Sequence, residues 1–558
     1  DPNDTTAPVA LITAPGTSTD ITVTDVLSPT NIVGTASDAN LAEYVVMISP
    51  AGKNQWSKLN SGTTSVTSNK LGDINPQTIA NGLYDIALIV RDISGNESSA
   101  KIGIAVTGEQ KTAPLQLTFT DMSFEVEGLP LTVRRTYDSL KRMERMDFGY
   151  GWTVDYQDVW LQTNGVLGRS WQINQVGSGF NRKLCVVPLG SRVASIRLPD
   201  GKLEQFDMRA SPECVPVLQG ISSVGVAFTP KASNKSGSKL EALGYGELRI
   251  AGGDLFDMDM TETFNPSQYK LTLLDGTEYI LDKDFGIQQI KDRKGNSLQF
   301  TRNGISHSGG WALAFTRDAA GKITKITGPG SQALTYAYDG AENLTTVTDQ
   351  ASAVSDFRYE NAKVAHGLTS YTDPLGRLAL KTTDDDAGRV LSQTDATGKA
   401  VTIGTDNNAN KQTINDRNGN TTVYDFDDRG NVTQVVDAAG GVTKYAYDAN
   451  DNEIEVIDPL GRKTTRTFDQ YGNITGETDP AGRVTKTAFN PEGNVTTMTD
   501  AAGRITTNGY NPTGDLTSIT DPAGKAFGMG YSPTGSLSSM TDKMGNATRY
   551  TYAKINGT

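Results

Sequence analysis

The sequence is poor in the residues that most chemistry needs. It holds two His and two Cys in 558 residues. Zinc sites built from Cys and His are excluded by that count. His307 and His366 are the only histidines that could act in catalysis. His307 sits in Ile305-Ser306-His307-Ser308-Gly309-Gly310, which reads as a polar loop, and His366 in Ala365-His366-Gly367; neither has a nucleophile motif beside it. No Gly-x-Ser-x-Gly, phosphate loop or dinucleotide fingerprint occurs, so no catalytic residue, metal or cofactor is assigned and the chain is expected not to be an enzyme. No run approaches the roughly 18 apolar residues of a membrane span. Basic residues are outnumbered, 51 to 64, leaving a net charge of −13. That balance argues against a nucleic-acid partner, because phosphate tracking needs a basic surface. The chain opens at Asp1 with no signal peptide, which reads as a removed leader or a piece of something longer.

Glycine is plentiful, at 58 residues, and with 22 prolines it marks turns. Many of those turns fall in register. Asp-x-x-Gly begins at Asp373, Asp395, Asp416, Asp437, Asp458, Asp479, Asp500, Asp521 and Asp542; the first step is 22 residues and each later one 21. An aromatic column runs beside it with the same period: Phe426, Tyr447, Phe468, Phe489, Tyr510, Tyr531 and Tyr552. A second turn follows each aromatic, as at Asn490-Pro491-Glu492-Gly493 and Ser532-Pro533-Thr534-Gly535.

The turn chemistry is direct. Asp or Asn at the first position, Pro at the second and Gly at the fourth suit a type I turn. The structural pairs are Asp373 with Gly376, Asp458 with Gly461, Asp479 with Gly482, Asp500 with Gly503, and Asp521 with Gly524. Their Asp residues lack the dense alternation of a calcium loop, so they are read as turn caps. The intervening segments, such as Lys463-Thr464-Thr465-Arg466-Thr467-Phe468, are strand formers without a helical stripe. Each repeat is therefore predicted to be a β-hairpin, and the hairpins one antiparallel sheet, polar on both faces like a thin wall.

Residues 1–108 read differently, as a linker followed by about seven short strands in an immunoglobulin-like β-sandwich. Asp1, Asp4 and Asp38 are taken as a solvated linker rather than a calcium site. Cys185 and Cys214 are a candidate disulfide, with two buried thiols as the alternative. Phe256, Met258 and Met260 alternate with Asp and read as one strand face. Asp384-Asp385-Asp386 reads as a solvated turn.

The pairs Tyr447-Asp448 and Phe468-Asp469, Gly472-Asn473, and Asp458-Pro459-Leu460-Gly461-Arg462 resemble the rearrangement-hotspot (RHS), or YD-repeat, family. Gly128-Leu129-Pro130-Leu131 through Tyr137, followed by Gly149-Tyr150-Gly151-Trp152, resembles the module that opens that family's shell. The implied order is a sandwich with its linker at 1–108, the opening module at 109–152, irregular hairpins at 153–370 and regular 21-residue repeats at 371–558. The implied fold is all-β, a partial shell of spiralling hairpins. About 43 strands from residue 109 onward would make roughly one circumference of a tube near 65 Å wide. The resemblance implies an exported bacterial polymorphic toxin, secreted or at the cell surface, whose shell encloses a C-terminal effector outside this chain. Its partners would be that passenger, the remaining shell, and a delivery machine or a cell-surface glycan or protein. The family's self-cleaving core is not recognisable here. The competing reading is an adhesin that binds through the sandwich and the shell exterior.

Overall fold

In a computed structural model, the described residues are 4–17, 23–107, 111, 114–126, 128–198, 203–231, 234–386, 388–406 and 409–552. Three bodies follow one another along the chain, and they are almost entirely β-structure.

The first body is a two-sheet sandwich. One sheet orders Val9–Ala14, Thr30–Ser37 and Val66–Ile74. The other orders Val23–Val26, Glu97–Val106, Gly82–Asp92, Leu41–Pro50 and Ser57–Gly62. Alternation of buried and open residues along Gly82–Asp92 follows from the period of two in a strand. It puts Ile86, Leu88 and Val90 into a core with Ile12, Ile32, Val46, Leu71 and Ile104. The sandwich is fastened to the rest of the chain. Gln162 exchanges two hydrogen bonds with Leu83, accepting from its N–H at 2.8 Å and donating to its carbonyl at 3.1 Å. Lys53 lies 3.9 Å from the centre of the Trp160 ring and donates to the Lys283 carbonyl.

The second body begins with Gln116–Phe124, Leu131–Asp138 and Trp152–Val154, paired antiparallel. A four-stranded sheet follows, ordered Trp160–Thr163, Val193–Arg197, Leu203–Ser211 and Gly225–Pro230. A three-stranded arm is made by Trp171–Val176, Lys183–Pro188 and Cys214–Pro216.

The third body is one antiparallel sheet of 29 strands, from Lys239–Ala242 to Ala547–Arg549. From Gln268–Thr272 onward each strand pairs with the next along the chain. The sheet is shorter than the roughly 43 strands expected from residue 109. The physical reason is that residues 115–230 fold into small separate sheets whose apolar side chains share one core with the early strands of the long sheet. Met258 and Met260 also fall outside a strand: Asp254–Phe256 ends before them, and Met260 sits in a turn with φ +59°.

Candidate functional site: a plugged, seamed wall

The turns of the long sheet share one construction. At Asp458, the Gly461 N–H returns to the Asp458 carbonyl at 2.9 Å, with Gly461 at φ +75°, where a Cβ would be strained. The Asp458 carboxylate accepts from the N–H groups of Leu460 and Arg462, both at 2.9 Å, and from the Arg462 guanidinium at 2.6 Å. Asp373, Asp479 and Asp500 do the same with Arg377, Arg483 and Arg504. Asp521 caps Ala523 and Lys525 and takes its ion pair from Lys543 on the following turn. These bonds, the one from the Arg462 N–H foremost, hold the Asp458 carboxyl below its ordinary value. Each turn is thus satisfied locally.

The aromatic column has a role beyond strand propensity. The hydroxyls of Tyr447, Tyr510, Tyr531 and Tyr552 donate to the carbonyls of Val432, Val495, Leu516 and Leu537, each 15 residues back, at 2.9 to 3.0 Å. Every such tyrosine latches one hairpin to the one before it. Phe426, Phe468 and Phe489 hold the same station without the hydroxyl. The upstream equivalents Tyr338 and Tyr359 make the same bond, to Ile323 and Leu344, and they pack on the second body's core.

That contact orients the sheet. Residues paired directly across strands share a face. The face that meets the second body carries Phe300, Phe315, Tyr336 and Phe357, and continues through Tyr371, Leu380 and Ile403. Followed strand by strand, it runs on through Ile414, Tyr424, Val435, Tyr445, Val456, Arg466, Glu477, Met498, Ile519, Phe527, Met529 and Met540. Lys411, Lys444, Lys463 and Lys486 stand on the other face.

The early part of the inner face is filled. Tyr156 lies near Phe285, Phe300 and Phe315; Trp152 and Phe119 meet Phe357; Phe148 meets Tyr336. At the centre, Arg135 pairs with Asp121, both nearly inaccessible, and its guanidinium lies 4.6 Å from the Trp152 ring centre. The second body is therefore a plug. Beyond Val390, Asn452 alone is fully buried among the described residues. The later inner face has no such filling.

Turns far apart in sequence meet along a seam. Lys235 donates to Asn452 at 3.0 Å, Lys294 pairs with Asp515 at 2.5 Å, and Asn296 donates to the Thr534 carbonyl at 3.1 Å. A methyl group added at Gly493 would lie 3.1 Å from Leu274, whereas at Gly461, Gly482, Gly503 or Gly524 it would meet nothing within 4 Å. The second turn column thus docks on an earlier edge, and the first column forms the free edge. Contacts such as Leu274 with Gly493 join strands about 21 places apart in the sheet, so one circuit is about 100 Å and the tube about 30 Å across, backbone to backbone. That is half the width expected from sequence, because the strip starts later and winds past one full turn. A cavity of about 520 Å³ beside the seam is lined by Leu271, Leu273, Leu274, Tyr279 and Tyr471.

Other residues singled out from sequence lie elsewhere. Cys185 and Cys214 are joined by a disulfide and face each other across paired strands. Asp4 and Asp38 come together with Asp92, their carboxylate oxygens within 4.8 Å, rather than forming a solvated linker; Asp1 lies outside the described residues. Their oxygens accept from the N–H groups of Thr6, Asn40 and Asn96, and the Thr6 N–H bond holds the Asp4 carboxyl low. His307 ends a strand and is buried rather than lying in a polar loop. His366 stacks on Tyr150 at 3.8 Å, and its Nδ1 lies 2.6 Å from the Asn343 side-chain oxygen. Asp385 caps its own turn with Arg389, while burial pushes Asp384 up to about 6, so that acidic run is not simply solvated.

The family profile described as RHS Repeat matches residues 317–353, 447–484 and 489–526. The chain carries RHS repeats. Its fold is similar to that of a Photorhabdus luminescens Tc holotoxin pore carrying a TccC3 mutation, at 10% identity over 87% of this chain and 30% of that one, with a TM-score of 0.32. It is also similar to a TcdB2-TccC3-Cdc42 structure, at 12% identity over 82% of this chain and 23% of that one, with a TM-score of 0.29. The chain therefore spans about a third or less of the length of these proteins. No curated protein matches it.

Proposed function

We propose that this chain is a structural segment of the shell of an exported bacterial RHS polymorphic toxin, enclosing an effector supplied by sequence outside it. The observation that carries the reading is the combination of a plug and a seam. The strip winds round onto itself, one end is filled by residues 115–230, and the later inner face is left unfilled. Ile, Val, Tyr, Phe, Thr and Met line that face, with Arg466 paired to Glu477 on the neighbouring strand. Such a mixed surface accepts varied side chains, since Met is adaptable and Thr is polar without charge. The N-terminal sandwich, read as immunoglobulin-like, is fastened at the plugged end through Gln162 and Lys53. Among the described residues no helix is long and apolar enough to cross a membrane.

Single cysteines test the compartment. Thr443→Cys places a thiol on the inner face and Lys444→Cys one on the outer face of the same strand. A small maleimide should label both, and a bulky polymer maleimide only the outer one. Equal polymer labelling at the two positions would overturn the reading.

A further inference from the structure

The arm made by Trp171–Val176, Lys183–Pro188 and Cys214–Pro216 serves neither the wall nor the plug at its far end. Two loops meet there, joined by the Val217 N–H donating to the Arg182 carbonyl at 3.1 Å. One loop presents Phe180 and the other Leu218, which are 107% and 99% exposed. Ile173 and Val176, further down the arm, are each 45% exposed. Fully open large apolar side chains on adjacent loops mark an interaction surface.

Two observations say what covers it. Ile173 and Val176 are three residues apart on one strand, so they point to opposite faces of the arm. A partner protein with a flat or grooved surface covers one face; a fluid apolar medium surrounds both. The second observation is charge. Residues 171–188 and 214–220 contain no Asp or Glu, although the chain has 64, and they carry Arg182 and Lys183 at the tip. Lys183 pairs directly with Val176, where its stem can lie along apolar surface with its ammonium beyond. The Cys185–Cys214 disulfide ties the two loop-bearing segments together and sets the tip's shape before contact.

We propose that this arm inserts its tip into an anionic phospholipid surface, with Phe180 and Leu218 entering the acyl boundary and Arg182 and Lys183 at the headgroups. Apolar burial together with attraction to anionic lipid is the physics of interfacial anchoring. The base of the arm lies beside the N-terminal sandwich, where the Val23 N–H reaches Ser191, so the contact would orient the plugged end toward the membrane.

The test is co-sedimentation of the full chain with phosphatidylcholine vesicles and with equimolar phosphatidylcholine–phosphatidylserine vesicles. Binding to the anionic vesicles, falling with added salt, is expected. Phe180→Ser with Leu218→Ser should lower the partition coefficient at least about tenfold, given the apolar area removed. Arg182→Glu with Lys183→Glu should abolish the preference for phosphatidylserine. In Phe180→Trp, tryptophan emission should shift to the blue on adding vesicles. No binding by the parent chain, binding unchanged in the Ser variant, or an unshifted Trp would each overturn the proposal. So would a tip-dependent dimer seen by sedimentation without lipid, which would assign the surface to a second copy.

Discussion

The seam should depend on one ion pair more than on any other polar contact. Lys294 and Asp515 are 20% and 10% exposed at the side chain and 2.5 Å apart. Asp515 also accepts from Asn511 and Thr513 at 3.0 Å. Removing one partner of a fully buried pair costs about 3–5 kcal/mol; residual solvent screening here brings the expected cost to about 1–3 kcal/mol. Asp515→Asn is the sharp perturbation, because Asn fills the same turn position at Asn452 and Asn473, so the turn itself survives. Amide exchange at 292–296 and 511–515 is the assay, since a long repeat sheet opens locally rather than all at once. Exchange should quicken there and not at the free-edge turn 479–483. A double-mutant cycle with Lys294→Met should return a coupling of about 1–2 kcal/mol. Burial opposes the Asp515 charge, but hydrogen bonds from Lys294, Asn511 and Thr513 hold its carboxyl below the ordinary value. A depressed carboxyl contributes stability above its unfolded pKa of about 3.9 and loses it as pH falls through the folded value. The parent seam should therefore loosen only below about pH 4, and Asp515→Asn should flatten that dependence. Unchanged exchange, or a coupling below about 0.5 kcal/mol, would refute the claim that charge holds the seam.

Gly461→Val puts a β-branched side chain at φ +75° and should destabilise its hairpin by about 1–2 kcal/mol, read as local proteolysis at 455–468. Tyr447→Phe removes a latch and should cost about 1 kcal/mol, measured by exchange at the Val432 hairpin; no change would reduce the column to strand propensity. Asp121→Leu leaves Arg135 charged and unpaired inside the plug and should cost about 3–5 kcal/mol in chemical denaturation. Reducing Cys185–Cys214, which closes 29 residues, should lower the arm's resistance to protease by the equivalent of about 3–4 kcal/mol of unfolded-chain entropy, with the repeat turns unaffected.

The parts of this fold that read directly from sequence are those stabilised within a few residues. Asp458, Pro459, Gly461 and Arg462 make a turn among themselves, so four letters contain its cause. The hairpins and their sheet follow from that. The plug was hidden because its stability is non-local: Phe119 needs Phe357 and Arg135 needs Asp121 among rings contributed by four segments. Residues 109–152 therefore read as an opening module and 153–370 as irregular hairpins, and the strip was expected to be longer and its tube wider. The seam was hidden for a sharper reason. The two turn columns have nearly the same letters, yet one is docked and the other free. The difference lies in Lys235, Leu274 and Lys294, more than 200 residues away from their partners. The aromatic column was visible, but its hydrogen bond was not, although the choice of Tyr or Phe at each station carried that signal.

Local satisfaction also explains how such a wall can stand without a core. In the later repeats almost no side chain is fully buried, although most strand residues are partly covered, so no filled core of the plugged kind stands behind them. What replaces it is repetition: a capped turn at each end of every hairpin, a latch at each Tyr station, and a ladder on both sides of every strand except the last. Each contribution is small, and each repeat adds its own together with an interface to its neighbour. A sheet stabilised this way leaves its inner face free of any duty to pack. That freedom separates this wall from a sandwich, where the inner face must be filled by the fold itself. The plug makes the contrast within one chain: where the inner face meets residues 115–230 its Phe, Tyr and Leu side chains are buried, and beyond Ile403 its Ile, Val, Tyr and Met side chains are only partly covered. A substitution such as Thr443→Leu on the open stretch should therefore leave stability within about 0.5 kcal/mol, whereas Phe357→Ala in the plugged stretch should cost about 3–5 kcal/mol. Equal costs at the two positions would mean that the later repeats are held by a core after all.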